Sequence, residues 1–481
     1  MSVLVLDIGT TGVRAAVVTE GGTVKGLHYE KFPPTSPGPG LVEFDADRLG
    51  ELCLRLAGLA LDDAGPVACV GITNQRASTI AWDARTGRPV APALGWQDLR
   101  TVGQCIDARV KHGVAVAPNQ TATKAQWLVQ QVDADSRQHV RFSSVESWVA
   151  RVLSGDSLHV TDHTNAAVTG LYDLHTNDWS EKWCRVFDVD PAAMPTIVPS
   201  IGVVGNASRL PGSPAIAGLI GDQQASLMGQ GCTRAGDAKI TFGTGGMLDQ
   251  FRGSLPPTQN SRAAHGTFPI VAYSTTSSIE WGAEAIMLSA GTNVEWLCED
   301  LGLVDDPADT DRIAAAVGDS GGAVYVPALL GLGTPHWDYG ARGTLLGLTR
   351  GTSRENIVHA VLEGIAQRGA DLLEATEADS GLRIERMRMD GGMSRNETFV
   401  QLFANAINRP VDISPVTEAT TLGAAFAAGV GAGVWSTLDE ATSTVAPLRT
   451  VEPTQPLDRT AWSEALSRAK AWIPALSALD F

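Results

Sequence analysis

Short apolar runs alternate with longer amphipathic stretches along most of the chain. Runs at residues 3–7, 13–19 and 67–73 are rich in valine, leucine, isoleucine and alanine, and polar or glycine residues follow each. Such lengths and bounds predict β-strands. Residues 354–378 instead have the spacing of an amphipathic helix, with one favoured side made by Ile357, Val361, Ile365, Leu372 and Leu373. Because strands and helices alternate repeatedly, the pattern predicts an α/β architecture.

One pattern, an apolar strand that runs into a Gly/Thr turn, occurs twice about half a chain length apart. The first copy spans residues 3–12 and turns at Gly9, and the second spans residues 239–246 and turns at Gly243. Glycine lets the backbone turn tightly and bring N–H groups close to an anion, and the neighbouring threonines add hydroxyl donors. Only the first copy contains a carboxylate, Asp7, which suits a hydrated Mg²⁺ ion. Two such turns on two halves predict a polyphosphate site held from both sides.

Length and charge restrict the class of protein. A chain of 481 residues is too long to fold around one compact core. We therefore expect two domains, residues 1–231 with the first turn and residues 232–481 with the second. The net charge of −17 (36 Lys+Arg against 53 Asp+Glu) argues against nucleic acid or an anionic membrane as the main partner. An acidic protein can still bind ATP, because local N–H groups and Mg²⁺ balance the phosphate charge.

The cysteines and the N-terminus predict a cytoplasmic location. The six cysteines lie far apart without CxxC or Cys/His spacing, which fits a reduced protein with neither a disulfide framework nor a zinc site. The N-terminal apolar run has no basic region before it and meets Asp7 after a few residues, unlike a signal peptide. Residues 422–435 are short and interrupted by glycine, which favours a packed helix over a membrane span.

Asp222 is the candidate general base. It follows an apolar run and Gly221, so an exposed turn at a strand end is expected, where a carboxylate can accept a proton from a hydroxyl and Gln223 can orient the substrate. The alternative is a helix N-cap, which the residue type taken alone favours. Its position just before the second Gly/Thr turn strengthens the catalytic interpretation. Asp7 and Asp222 could then face each other across a cleft with one Mg²⁺ between them.

Three further features have a functional and a structural interpretation. Gly391 and Gly392 join a predicted strand to a helix, where bare backbone could contact a flat adenine ring, although a tight turn explains them equally well. Arg76 and Trp96 each follow a predicted strand and could offer a polyol a hydrogen-bond donor and an apolar wall. Taken singly, such an arginine is more often in a surface ion pair and such a tryptophan in the core.

Together these residues resemble a known family, the FGGY carbohydrate kinases. The motifs that carry the resemblance occur in the family's order over nearly the whole chain, and they are Asp7-Ile8-Gly9-Thr10-Thr11-Gly12, Gly71-Ile72-Thr73-Asn74-Gln75-Arg76, Gly221-Asp222-Gln223-Gln224-Ala225, Phe242-Gly243-Thr244-Gly245 and Asp390-Gly391-Gly392. The resemblance implies a duplicated ribonuclease-H-like (actin/hexokinase-like) fold with ATP and substrate in the cleft between the domains. It also implies ATP-dependent phosphorylation of a primary hydroxyl on a small polyol or sugar.

Transferred by position, the resemblance assigns a role to each motif. Asp222 would be the general base and, with Asp7, would lie near Mg²⁺. The residues implied at the ATP phosphates are Thr10, Thr11, Arg14, Gly243 and Thr244, and those on the adenine side are Gly391, Gly392 and Asn396. The residues implied at the polyol are Arg76, Trp96, Asp222 and Gln223. We further expect a homo-oligomer, either a dimer or a tetramer.

The acceptor side departs from the glycerol kinases, the branch that the chain most resembles. Ala77 stands where they usually have glutamate, Asn119 where they have tyrosine, Met247 where they have an aromatic residue and Ile8 where they have glutamine. A binding site distinguishes strongly between acceptors only when its own side chains hydrogen-bond the hydroxyl groups of the preferred one. The alternatives are therefore glycerol itself, a longer polyol or ketose of four to five carbons, and a non-catalytic ATP-dependent binding protein of the same fold.

Overall fold

The computed structural model describes residues 1–258, 262–415 and 419–479. The strands up to residue 221 are β1 Ser2–Ile8, β2 Gly12–Thr19, β3 Val24–Lys31, β4 Glu43–Phe44, β5 Cys69–Asn74, β6 Ile80–Asp83, β7 Ala93–Leu94, β8 Val140–Ser143, β9 Val160–Asp162, β10 Tyr172–Asp173, β11 Asp178–Trp179, β12 Thr196–Val198, β13 Ile201–Asn206 and β14 Ala215–Gly221. The later strands are β15 Ala238–Phe242, β16 Gly246–Gly253, β17 Phe268–Ser274, β18 Ile279–Met287, β19 Val324–Val326, β20 Thr344–Leu346, β21 Met387–Asp390, β22 Val411–Ile413 and β23 Arg449–Val451.

Helices alternate with these strands in both halves of the chain, and the last two helices follow the final strand. The earlier ones are α1 Ala46–Ala64, α2 Val102–His112, α3 Thr121–Gln130, α4 Val145–Leu153, α5 His163–Ala166, α6 Glu181–Val186 and α7 Asp222–Gly229. The later ones are α8 Gly291–Glu295, α9 Asp309–Val317, α10 Arg354–Ser380, α11 Glu397–Ile407, α12 Ala419–Gly431, α13 Leu438–Thr442, α14 Arg459–Ala469 and α15 Pro474–Ser477. Within the described ranges, no helix combines the length and the apolar character needed to cross a membrane.

The first sheet brings three strand ends to one edge. Its strand order is β13-β14-β5-β1-β2-β3. The strands β1, β5 and β14 run parallel, and their register aligns Ile8 with Asn74 and Asn74 with Gly221. Because parallel strands present their carboxyl ends at the same edge, the segments that follow these residues leave the sheet side by side. Those segments are the first Gly/Thr turn, Arg76 and Asp222.

The second sheet repeats this topology. Its order is β17-β18-β16-β15-β21-β22-β23. As in the first sheet, a central strand forms a hairpin with the next strand and lies parallel to two later strands on its other side. Thr241 is in register with Asp390, so the second Gly/Thr turn and Gly391 follow at one edge. The predicted duplicated α/β fold is confirmed.

Helices from both halves of the sequence cover the first sheet. Along β1, Leu4 and Leu6 pack on one face with α1 and α4, while Val3 and Val5 pack on the other face with α12. This alternation follows from the period of two of a β-strand. Since α12 comes late in the chain, the second half of the sequence completes the core of the first sheet.

Helices α7 and α12 cross with their backbones in contact. A Cβ atom at Gly229 would lie 1.9 Å from the carbonyl oxygen of Ala419, and one at Gly423 would lie 1.8 Å from that of Ala225. Because neither position has room for a side chain, glycine is required at both. The crossing links the helix that begins at Asp222 to the helix that packs on the first sheet.

Candidate active site

The first Gly/Thr turn presents donors at the edge where the parallel strands end. The N–H of Gly9 donates to the carbonyl of Gly12 at 3.0 Å and closes the turn. Thr10 Oγ1 accepts a hydrogen bond from Trp96 Nε1 at 3.1 Å, so its own proton is available to another acceptor. Thr11 lies at the exposed tip of the turn. This arrangement suits an anion at the turn.

Asp7 is a buried carboxylate at the base of this turn. Arg14, which faces it across the β1–β2 ladder, donates from Nη1 to Asp7 Oδ2 at 2.9 Å. Thr421, from α12, donates from Oγ1 to the same oxygen at 3.3 Å. The carboxylate is thus oriented by one residue from each half of the sequence.

Asp222 is the first residue of α7 and is not its cap. The N-cap is Gly221, whose N–H donates to Thr164 Oγ1 at 2.8 Å. Asp222 Oδ1 accepts the N–H of Gln223 at 2.8 Å, and 29% of its side chain is exposed. The N-cap alternative considered from the sequence is therefore wrong, because the cap position falls one residue earlier.

The environment of Asp222 shifts its acidity toward neutral pH. Burial raises the pKa of Asp222 from 3.8 to about 6, with the Arg76 guanidinium and the Gln223 N–H opposing the rise and the Asp7 carboxylate adding to it. A carboxylate with this pKa is still ionised at neutral pH and accepts a proton more readily than an ordinary aspartate. The group therefore combines the charge and the basicity that a general base needs.

Arg76 lies in a buried ion pair between the two sheets. Its Nη2 donates to Glu284 Oε2, on β18, at 2.5 Å, and its Nε lies 3.6 Å from Asp222 Oδ1. The side chains of Arg76 and Glu284 are 11% and 8% exposed. The surface ion pair considered for Arg76 from the sequence is wrong, because the β5 terminus points this residue into the space between the halves.

Gln223 contacts a second buried charge. Its Oε1 accepts a hydrogen bond from Lys239 Nζ at 2.6 Å. Lys239 also lies 2.8 Å from Asp249 Oδ2, and both of these charged side chains are fully buried. Burial is the main cause that raises the pKa of Asp249 to about 6, and Lys239 opposes it. A fixed lysine thus holds the amide beside the candidate base.

Ala77 and Asn119 are neighbours through one buried lysine. Lys124 Nζ donates to the Ala77 carbonyl at 3.2 Å and to the Asn119 carbonyl at 2.8 Å. Burial lowers the pKa of Lys124 to about 7, against the attraction of Asp98. Ala77 is buried with a left-handed backbone (φ 63°), and Asn119 is exposed. Two of the predicted acceptor positions therefore lie in one small region next to Arg76.

The two remaining acceptor positions are a tryptophan and a methionine. Trp96 is 37% exposed and bonds Thr10, so it lies between the acceptor region and the first turn and is not the core residue that was the alternative. Met247 is half-buried on β16, opposite Thr241 in register. Trp96 therefore connects the predicted acceptor and phosphate regions.

The second Gly/Thr turn is held by the segment before α8. The Gly243 carbonyl accepts the N–H of Gly291 at 2.8 Å, and the Thr244 carbonyl accepts the N–H of Ala290 at 2.9 Å. Gly243 and Thr244 are both exposed. With its carbonyls bound on one side, the turn leaves Thr244 at the surface.

Two of the three residues predicted on the adenine side have a structural role of their own. Gly391 has φ 91°, and a Cβ atom there would lie 2.3 Å from the Phe242 carbonyl oxygen, whereas a Cβ at Gly392 would meet open space. Asn396 caps α11 by accepting the N–H of Phe399 at 2.8 Å, and its Nδ2 donates to Thr310. Gly391 and Asn396 therefore shape the local backbone, and Gly392 presents bare backbone to the surface.

The chemistry of Asp7 and Asp222 fits Mg²⁺. The charge of Asp7 raises the pKa of Asp222, so the two carboxylates are close enough to repel each other, and a cation would relieve that repulsion. Over the described ranges, no cluster of three or more His, Cys, Asp or Glu side chains forms a metal cage. Mg²⁺ needs no cage, because it usually binds one or two carboxylates together with phosphate oxygens and water.

Glu284, Asp249 and the role of Lys239 were not predicted from the sequence. Glu284 stands between two alanines in the apolar second half of β18. A charged residue in such a strand signals a buried partner, because an isolated buried charge is costly. The signal was present, but the partner, Arg76, is 208 residues away in the sequence.

Comparisons with known proteins show the family to which the chain belongs. Residues 2–229 match the N-terminal domain of the FGGY family of carbohydrate kinases, and residues 238–432 match its C-terminal domain. The chain is 37% identical to a glycerol kinase of Gloeobacter violaceus, over 98% of this chain and 97% of that protein.

Solved structures show the same similarity. The crystal structure of Plasmodium falciparum glycerol kinase with ADP superposes with a TM-score of 0.90 at 27% identity, covering 97% of this chain and 98% of that one. A xylulose kinase of Brucella ovis gives a TM-score of 0.83 at 26% identity, with 100% of both chains covered. These matches favour an ATP-dependent kinase over a non-catalytic binding protein. The chain belongs to the FGGY family of carbohydrate kinases.

Proposed function

We propose that this ATP-dependent kinase phosphorylates a primary hydroxyl of glycerol, with Asp222 as the general base. The observation that carries the proposal is the position of Asp222 at the shared strand edge, beside Arg76 and with a pKa of about 6. The identity to glycerol kinases over nearly the full length supports glycerol as the acceptor.

In the proposed step, the acceptor hydroxyl oxygen bonds to the γ-phosphorus of ATP as the bond from that phosphorus to the ADP oxygen breaks. The hydroxyl proton passes to a carboxylate oxygen of Asp222, a role worth on the order of 10²–10⁴ in rate. Arg76 and Gln223 donate hydrogen bonds to the acceptor oxygens, and Trp96 forms an apolar wall. Phosphoryl transfer depends mainly on such positioning and on charge stabilisation.

We assign the phosphates to the two Gly/Thr turns, in which Thr11 and Thr244 are exposed. The proposed phosphate ligands are Thr10, Thr11, Arg14, Gly243 and Thr244, and the proposed adenine contacts are Gly391, Gly392 and Asn396. Asp7 and Asp222 would hold Mg²⁺, which when bound offsets negative charge on the phosphate oxygens.

A longer polyol or ketose is the second candidate acceptor. Ala77 and Asn119, joined through Lys124, supply a methyl group and a carboxamide where the glycerol kinases have a carboxylate and a phenol. The smaller Ala77 side chain leaves room for an additional carbon. Met247 adds a flexible apolar wall that adapts to different shapes.

The remaining proposals concern location and assembly. We propose a cytoplasmic protein, because all six cysteines are unpaired and five of them are buried. We also propose a dimer or tetramer, with domains at residues 1–231 and 232–481. Light scattering after gel filtration measures the assembly directly.

An acceptor panel tests the proposed function. ADP release is measured with glycerol, a four-carbon polyol, xylulose and no acceptor, at saturating ATP and Mg²⁺. We expect the highest kcat/KM with glycerol. A higher kcat/KM with xylulose or the four-carbon polyol would identify that compound as the acceptor in place of glycerol. ADP release that no acceptor stimulates would contradict the proposed function.

A further inference from the structure

We propose that buried charges of the second half, Glu284 and the Lys239–Asp249 pair, act as positioning residues for Arg76 and Gln223, the two acceptor-binding donors of the first half. This inference rests on the proposed acceptor role of Arg76 and Gln223. None of the three positioning residues needs to touch the acceptor, because each acts through a side chain that does.

Glu284 determines how the Arg76 guanidinium is oriented. It accepts from Nη2 at 2.5 Å, while Nε lies 3.6 Å from Asp222. The third nitrogen, Nη1, is buried and has no hydrogen-bond partner in the described parts of the chain. Leaving a buried charged donor without a partner is costly. The guanidinium thus has two of its nitrogens directed to carboxylates and one ready for a ligand oxygen.

Lys239 determines how the Gln223 amide is oriented. An ammonium group can only donate, so the amide oxygen Oε1 must face Lys239, at 2.6 Å, and the NH₂ group must face away. Lys239 itself is fixed by Asp249 at 2.8 Å and by Thr241 Oγ1 at 3.1 Å. Gln223 therefore presents a donor, and the opposite amide orientation would place NH₂ against an ammonium.

The two positioning groups lie side by side on the second sheet. Asp249 on β16 is in register with Glu284 on β18, and directly opposite residues of neighbouring strands project to the same face. Both donors of the first half are therefore oriented from one patch of the second half. The acceptor region has two donors, Arg76 Nη1 and Gln223 NH₂, beside one proton acceptor, Asp222, which matches an alcohol with adjacent hydroxyl oxygens.

The first test is Glu284→Gln, which keeps the shape and removes the charge. Without that charge, Asp222 and Asp249 are the carboxylates that still attract Arg76, so the guanidinium loses its orientation and Nη1 turns away from the acceptor. We expect the glycerol KM to rise about tenfold or more, since a hydrogen bond from a charged group is lost. The KM for ATP should stay within about twofold, because no phosphate contact changes.

Asp371→Asn is the matched control. Asp371 lies in an equally buried ion pair, with Arg368 at 2.6 Å, on α10 and outside the proposed site. A purely structural role of Glu284 would lower the melting temperature of both variants and leave the glycerol KM of both unchanged. That result overturns the inference, whereas a rise in the glycerol KM confined to Glu284→Gln supports it.

The second test is the double variant Lys239→Met, Asp249→Asn, which removes both charges together and leaves no unpaired buried ion. Calorimetry should show weaker glycerol binding by about tenfold, with ADP binding unchanged. Glycerol binding equal to that of the wild type overturns the role of Lys239. Failure of the wild type to phosphorylate glycerol would instead contradict the proposed function, so the two failures are distinguishable.

Discussion

Replacing the candidate base by asparagine should slow turnover strongly and stabilise the fold. The pKa of Asp222 rises from 3.8 to about 6 on folding, so the folded protein holds the ionised form at a cost. A shift of about 2 pKa units corresponds to about 3 kcal/mol. Asp222→Asn has no charge to desolvate, and Arg76 still has Glu284 as its partner.

The pH dependence of this stabilisation has a definite sign. A carboxyl with a raised pKa favours the folded state fully below pH 3.8 and loses that contribution as the pH rises through about 6. The advantage of Asp222→Asn over the wild type should therefore be near zero below pH 3.8, grow up to pH 6 and remain constant above it, at about 3 kcal/mol.

Urea unfolding at several pH values measures the stability, and ADP release with glycerol measures the activity. Turnover should fall by roughly 10²–10⁴. Asp98→Asn is a control of opposite sign, because Arg100 holds the pKa of this buried carboxyl below its usual range despite its burial. An Asp222→Asn protein that is less stable than the wild type at pH 7, or that retains near-normal turnover, would refute the reasoning.

Three further predictions concern pH, the adenine side and the acceptor. Only ionised Asp222, with its pKa of about 6, accepts a proton, so kcat/KM should be level above pH 6 and fall about tenfold per pH unit below it. A profile that stays level down to pH 5 contradicts this prediction. Gly391→Ala should lower the free energy of unfolding by about 1–3 kcal/mol, because the backbone has φ 91° and the Phe242 carbonyl blocks a methyl group. Gly392→Ala should leave the free energy of unfolding unchanged, and equal melting temperatures of the two variants would disprove the difference. Ala77→Glu should lower the KM for glycerol relative to a four-carbon polyol by about tenfold, since it adds an acceptor for hydroxyl protons, and an unchanged ratio in the acceptor panel counts against that role.

The local features of the site could be predicted from the sequence because they are encoded within a few residues. A strand, a glycine turn and a carboxylate at the strand end are adjacent in the chain, so the turns at Gly9 and Gly243 and the strand end before Asp222 follow from short patterns. The two α/β halves followed from the repeat of one such pattern. Their common topology is confirmed by the order of the two sheets.

Contacts across the cleft could not be predicted in the same way. The bond from Arg76 to Glu284 depends on the order and register of strands in both sheets and on how the sheets face each other. The N-cap alternative for Asp222 failed by a single residue, because Gly221 takes the cap position. The neighbourhood of Ala77 and Asn119 depends on a lysine whose burial no local pattern revealed.

The position of α12 has a consequence for biosynthesis. One apolar face of the first sheet is covered by a helix that ends at Gly431, long after the sheet's last strand ends at Gly221. During translation, that face of the first sheet therefore stays uncovered until most of the chain has left the ribosome. A chain that stops at residue 231 would keep Val3, Val5 and their neighbours in contact with water, and it should need a chaperone or aggregate, even though it contains every strand of its own sheet.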